Sequence, residues 1–342
     1  MTIRKLGLAL ALVLALGTFS LAGLASDMVH VTLQMCFIPS GQWFGFYGGQ
    51  VSAYARAGFD VTIKYATDGF ASITEVAAGR AEFGYPTADQ VLLQQAREEA
   101  TDEHNVAIYQ TERVNLFSVI LKESSPITAP TDLIGKTVAV TGFNSPPYTM
   151  LLALLQKAGI GLDMVNTDPA TKDAGKVNVV AVGKGAAQAL VDGTADAITG
   201  YLPTEEKLNS LGVPIRMWYA RDWVGNYGGM CLTTSQKLID ENPDMVRRFV
   251  QATHEGFLYA MEHPDEIAAY FASQFPEQAA AAGTELTVWK RLVNEVYLAS
   301  EPGFGTVDPM RWEYTETVLL DAGVLSQPID VAQAYSLDFY PR

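Results

Sequence analysis

Cysteine, histidine and positive charge are all in short supply in this chain. The two cysteines, Cys36 in LQMCFIP and Cys231 in GGMCLTT, are too few for a disulfide-stapled scaffold or a thiolate metal cage, and leave one disulfide or two buried thiols. The four histidines, His30, His104, His254 and His263, show no metal-ligand spacing. Lys and Arg number 23 against 38 Asp and Glu, a formal charge of −15, which argues against nucleic acid as a partner. Catalytic signatures are missing too. LIGKTVAV has a Gly-Lys-Thr, but Pro130 stands where a phosphate-binding loop needs its first glycine, and the segment leads into a strand. GKGAAQ lacks the third glycine of a dinucleotide fingerprint, and no Gly-x-Ser-x-Gly elbow occurs.

Long apolar runs are missing after the first residues. MTIRKLGLALALVLALGTFSLAGLAS carries Arg4 and Lys5, an apolar stretch to about Leu16, then Ala22, Gly23 and Ala25. That is the layout of a signal peptide, expected over residues 1–26 with cleavage after Ala25 or Ser26. It would leave a mature chain outside the cytoplasm, more acidic still, with no Cys at the cut for a lipid. No later stretch approaches the roughly 18 apolar residues a bilayer crossing needs.

What is present is a large core and a repeating pattern. The 342 residues are 49% hydrophobic, enough for one large or two medium domains. Strand-like HVTLQMCFIP, FDVTIKYA and AEFGYP alternate with helical segments over 44–57, 70–79 and 88–100, followed by NVAIYQ and NLFSVILK. The alternation restarts with KTVAVTG, TMLLALLQKAG, NVVAVG, GAAQALVDG, ADAITG and PIRMWYA, and from Thr234 the chain is mostly helical. Each set reads as βαβ units around a mainly parallel sheet, an α/β class. Two interruptions, ESSPITAP and DWVGNYGG, mark crossings. The expectation is two lobes joined by a two-strand hinge: residues 27–122 plus 223–342 form the first, 123–222 the second, with a ligand cleft between them.

The strand ends carry a recurring chemistry. Pro39-Ser40-Gly41-Gln42-Trp43, Thr67 to Ser72 with Asp68, Tyr85-Pro86-Thr87-Ala88-Asp89, Gly142-Phe143-Asn144-Ser145 and Thr199 to Glu205 with Tyr201 each set an aromatic, a small residue and a capping side chain where a strand hands over to a helix. Helix N-termini offer free N–H groups there, and ligands of open α/β sheets sit at such ends. One loop of this kind is explained by capping alone. Five around one cleft favour a binding site with aromatic walls and a few polar groups.

These segments resemble a known family, the periplasmic substrate-binding proteins of ABC importers in their NMT1/THI5-like subgroup. The resemblance runs through AYARAGFDVTI, EVAAGRAEFGYPTADQV, TDLIGKTVAV, ALVDGTADAITGYLP and NPDMVRRFVQATHEGFLYAMEHPDE. Glu82 stands where Asp is common, and the first helix is short and glycine-rich, FGFYGGQ. The resemblance implies a type II binding-protein fold, a periplasmic monomer that closes on a small-molecule ligand and delivers it to an ABC transporter permease, with no cofactor and no catalysis. The candidate lining is Trp43, Tyr47, Asp68, Ser72, Tyr85, Thr87, Asp89, Glu112, Phe143, Asn144, Ser145, Tyr201, Glu205 and Tyr227. Rich in aromatic faces and acids, it favours a flat heteroaromatic ligand, a thiamine pyrimidine precursor or a flavin. For any single aromatic the competing role is core packing, and for any acid a helix cap. A sulfonate, taurine or nitrate-type anion is the alternative ligand class, and would call on Lys64, Arg113, Lys184 or Arg221. A pyridoxal-phosphate-using thiamine-pyrimidine synthase is the enzyme alternative.

Overall fold

The computed structural model describes residues 28–97, 104–298 and 303–341; the expected signal peptide lies outside them. The first βα alternation forms as read. Strands β1 (Val29–Met35), β2 (Phe59–Lys64) and β3 (Phe83–Tyr85) alternate with helices α1 (Phe44–Gly48), α2 (Ala71–Ala77) and α3 (Ala88–Arg97), and β4 (Asn105–Gln110) follows. β1 lies between β2 and β3, parallel to both, with Gln34 opposite Lys64 and Met35 opposite Tyr85. The carboxyl ends of the three strands therefore share one edge.

A second sheet takes the middle of the chain. It contains β5 (Ser118–Lys122), β6 (Thr137–Val140), β7 (Val165–Asn166), β8 (Val177–Ala181), β9 (Ala197–Gly200) and β10 (Ile215–Tyr219), in the order β10-β5-β9-β6-β8-β7. Helices α4 (Pro146–Lys157), α5 (Ala186–Asp192), α6 (Leu202–Ser210) and α7 (Ala220–Trp223) connect or follow these strands. The boundary expected after residue 122 falls on the wrong side of one strand: β5 pairs antiparallel with β10 and β9, so Ser118–Lys122 belong to the second sheet. The polar stretch after it looked like the crossing because its prolines and hydroxyls mark a turn; Asp132 accepts from the Thr128 and Ala129 N–H groups there.

The chain then returns. β11 (Cys231–Ser235) runs antiparallel between β3 and β4 and completes the first sheet as β2-β1-β3-β11-β4. Helices α8 (Gln236–Glu241), α9 (Pro243–Glu262), α10 (Pro264–Gln274), α11 (Ala282–Leu292) and α12 (Pro309–Asp321) close the fold. Phe249, Phe257, Phe271 and Trp289 from these helices share one core with Leu33, Phe44, Phe46 and Phe83, while Val138, Val140, Leu151 and Leu154 build a second core on the other sheet.

The glycine-rich first helix has a packing reason. A Cβ on Gly48 would meet the Gly256 carbonyl oxygen at 2.1 Å, and one on Gly45 would meet the Phe257 ring at 2.3 Å. α1 and α9 thus touch backbone to backbone, which larger residues forbid. The helix widens into a turn bonded across five residues at Gly49–Ala53, with the Tyr54 N–H on Gly49 O at 2.9 Å, and ends at Gly58 with φ +82°.

Candidate functional site

Among the contacts between the two parallel edges and the helices beside them, these bear on the site. The loop after β2 meets the loop after β6: a Cβ on Gly69 would stand 3.2 Å from the Asn144 carbonyl oxygen and 3.5 Å from Pro146 Cδ. Tyr201, the first residue after β9, donates its hydroxyl to Glu112 Oε1 at 3.0 Å, and its ring lies 5.0 Å from Phe117. Arg291 of α11 reaches Glu205 and Glu206 of α6.

Glu112 is the chemical centre of this arrangement. It follows β4 where the chain leaves the first sheet, its N–H donating to Met230 O at 3.3 Å. Burial pushes its carboxyl up to about 7, against the Tyr201 hydroxyl and the Met230 backbone, which favour the charged form. Near neutral pH it can therefore either accept or donate a proton-bearing hydrogen bond. Asp89, in the first turn of α3, is pushed up to about 6 by burial, opposed by the Thr87 side chain and the N–H groups of Asp89 and Gln90. Tyr227 is buried beside it, its phenol raised by burial and then by Asp89. Tyr85 is buried with its hydroxyl on the Thr111 hydroxyl and its ring edge-on to Trp43 at 5.6 Å; Glu112 and Tyr201 both act on its phenol.

The remaining expected residues divide by place. Thr87 opens α3, its N–H and hydroxyl each 3.2 Å from Gln90 Oε1, a helix-capping reach-back. The Ser72 hydroxyl and the Gln90 amide nitrogen are buried and, among the described residues, without a hydrogen-bond partner, so their hydrogen-bonding capacity is unused. Phe143 is 42% exposed against Tyr148 at 5.3 Å, a rim position, and Asn144 is exposed beside it. The Ser145 hydroxyl does not cap α4; it donates to Gly142 O at 2.6 Å, and the helix N–H groups of Tyr148 and Thr149 use the Ser145 carbonyl. Asp68 is exposed and accepts from the Phe70 N–H at 3.0 Å, an Asx turn leading into α2. Trp43 and Tyr47 are core residues: the Trp43 indole donates to Ile38 O at 2.8 Å, and Tyr47 packs on Phe44, Phe271 and Phe275. Glu205 is engaged by Arg291 and by the Tyr219 hydroxyl at 3.2 Å.

Three residues escaped the sequence reading. Gln90 was legible in the Thr87-x-x-Gln90 spacing. Tyr297, fully buried with an unpartnered hydroxyl and with Glu112 acting on its phenol, and Arg291 come from a helical region whose local pattern says only that it is amphipathic. Both cysteines are free thiols. The Cys36 thiol is pushed up to about 12 by burial, with Glu112 and Asp89 adding to it.

Two mixed α/β sheets, each with its strand ends turned toward the other, define the class: the fold is that of the periplasmic binding proteins. The aliphatic sulphonate binding protein SsuA of Escherichia coli superposes with a TM-score of 0.67 at 14% identity, over 91% of this chain and 98% of that one. The chain belongs to the NMT1/THI5-like family, whose model matches residues 45–267. Among curated relatives, the riboflavin-binding protein RibY of Chloroflexus aurantiacus is 27% identical over 91% of this chain and 86% of its own. A formylaminopyrimidine-binding protein of Halalkalibacterium halodurans is 24% identical over 83% and 82%. A 2'-hydroxybiphenyl-2-sulfinate desulfinase of Rhodococcus erythropolis shares 24% over 48% of this chain and 55% of its own.

Proposed function

We propose that the protein is an extracytoplasmic solute-binding protein that closes on a flat heteroaromatic ring, of the riboflavin or aminopyrimidine kind, and delivers it as a monomer to an ABC importer. The observation that carries this is the buried Glu112 carboxyl joined to the Tyr201 hydroxyl, with Tyr85 and Tyr297 beside it. Aromatic faces suit a ring, and a carboxyl near neutrality suits the amide, imide or amino edge of one. The names of the two fuller relatives point the same way. The lobes of this reading are the two sheets with their helices, and the crossings are residues 111–117 and 220–230. Tyr85, Asp89, Glu112, Phe143, Tyr201, Tyr227 and Tyr297 line the cleft, with Ser72 and Gln90 as polar contacts.

An anion fits this lining less well. Arg113, next to Glu112, has its Nε and Nη2 on the Thr306 carbonyl at 3.1 and 2.7 Å, and Arg291 faces three carboxylates. The non-catalytic reading rests on the fuller relatives being binding proteins. The test is a thermal-shift panel. A ligand that binds only the folded state stabilises by roughly 2.7 kcal/mol at a hundredfold excess over Kd. Riboflavin or formylaminopyrimidine should raise Tm, and stacking should quench flavin fluorescence; a rise with alkylsulfonates or nitrate alone would overturn the reading.

A further inference from the structure

An ion-pair cluster joins helices of the two sheets next to the aromatic cleft. Arg291 on α11 sets its Nε 2.7 Å and its Nη2 3.3 Å from the two oxygens of Glu295, one turn along. Glu295 lies in the helical turn Val293–Tyr297 that continues α11, so this two-point grip holds the guanidinium in place whatever α6 does. Its remaining nitrogen, Nη1, then lies 2.9 Å from Glu205 Oε2 and 2.7 Å from Glu206 Oε1 on α6. Only 20% of the Arg291 side chain and 13% of each glutamate is exposed, a setting where an ion pair is worth more than at an open surface.

Both helices are rigidly mounted on opposite sides. Val288, Trp289 and Leu292 fix α11 in the first core, and Glu285 accepts from the Ser40 hydroxyl at 3.2 Å and from the Gly41 N–H at 2.5 Å at the end of β1. On the other side, Leu208 seats α6 against Ile120 and Ile198 of the second sheet, and Tyr219 of β10 donates to Glu205 at 3.2 Å.

From this geometry we infer that Arg291 is an affinity-determining residue that never touches the ligand: with Glu205 and Glu206 it forms a latch whose closing stabilises the ligand-bound arrangement of the lobes. The inference rests on the two-lobed closure described above. With α6 moved away, Glu205 and Glu206 are neighbouring like charges in water; docked, they share one cation. Apparent affinity scales with the fraction of protein in the competent state, so weakening the latch raises Kd while the pocket stays intact. Glu205 accordingly acts on closure and not as the ligand acceptor its position after β9 had suggested.

The experiment compares wild type, Arg291→Gln, Arg291→Lys and the double variant Glu205→Gln/Glu206→Gln by solution scattering, without ligand and with riboflavin, at low and high salt. Circular dichroism establishes that each variant is folded. The expected result is a larger ligand-free radius for Arg291→Gln and the double variant at both salts, with wild type moving only part of the way at high salt because a mostly buried pair is screened little, and a riboflavin Kd raised about fivefold to tenfold. Arg291→Lys, which keeps the charge without the fork, should fall between. Folded variants with the wild-type ligand-free radius at both salts would overturn the latch, with or without riboflavin binding. Failure of riboflavin to bind wild type would instead overturn the ligand assignment, leaving the latch to be judged on the ligand-free radii.

Discussion

At the scale of single residues, the site is governed by two carboxylic acids held away from water. The ordinary value for a glutamate here is 4.5, and burial raises Glu112 to about 7; Asp89 rises from 3.8 to about 6. Each proton is bound more tightly in the folded protein than in the unfolded chain. Their contribution to stability is thus complete below the unfolded values and is lost as pH climbs through about 6 and then about 7. Wild type should melt at a higher temperature at pH 5 than at pH 8, and Glu112→Gln should flatten that dependence by removing the Glu112 titration while Asp89 and the buried Glu285 keep theirs. Melting curves across this range check it, and parallel profiles for the two proteins would place the titration elsewhere. A second contrast separates cleft from core. Phe143 is 42% exposed, Trp43 1%. Phe143→Ala should leave Tm almost unchanged and weaken a stacked ligand by about 1–3 kcal/mol, whereas Trp43→Ala should cost about 3–5 kcal/mol of stability. Calorimetry of binding alongside thermal melts distinguishes the two.

At the scale of elements, the tightest constraint is where α1 crosses α9. Gly45, Gly48 and Gly256 leave no room for a Cβ, and the nearest atoms to Gly48 and Gly256 are backbone atoms that cannot rotate aside. Gly48→Ala should cost about 2 kcal/mol or more, since the helices must separate, and should appear as a Tm lower by several degrees with ligand specificity retained. An unchanged Tm would mean that α1 and α9 can move apart freely. The same elements mark what the sequence could and could not say. The alternation from HVTLQM to PIRMWYA was legible because parallel strands with covering helices impose distinct periods on adjacent segments. FGFYGGQ looked like a deviation because glycine lowers helix propensity, and the reason for it, a partner backbone some two hundred residues away, leaves no local trace. Ser118–Lys122 reads as part of the first lobe but pairs in the second sheet, because a strand's neighbours are set by tertiary pairing. The strand-end loops were legible as a group, while Tyr47, Trp43 and Asp68 carried the same local chemistry as Tyr201 and Glu112 and differ only in what they pack against. Arg291 and Tyr297 were invisible, since their meaning comes from α6 and from Glu112.

At the scale of the whole molecule, the proposed hinged closure would set costs against gains, and that balance predicts how the protein moves. On that reading closing would bury Glu112 and Asp89, which is unfavourable while they are charged, and would leave the Ser72 hydroxyl and Gln90 amide without partners among the described residues. It gains the Tyr201–Glu112 hydrogen bond and the Arg291 contacts. A ligand that satisfies the unpartnered groups tips the balance toward closure. The second crossing is suited to such a swing: Gly225, Gly228 and Gly229 have φ of +92°, +65° and +100°, and a Cβ on Gly229 would meet the Glu112 carbonyl oxygen at 2.2 Å. Ligand addition should therefore reduce the radius measured by solution scattering. Proton binding should act in the same direction. Since the closed form holds the Glu112 and Asp89 protons above their ordinary values, lowering the pH from about 8 to about 5 shifts the ligand-free protein toward closure, and its radius should shrink even before ligand is added. Glu112→Gln should shrink less over the same range, since Asp89 alone still titrates. A ligand-free radius that ignores pH in wild type and variant alike would mean that Glu112 stays buried when the lobes part, and would move the hinge away from residues 111–117.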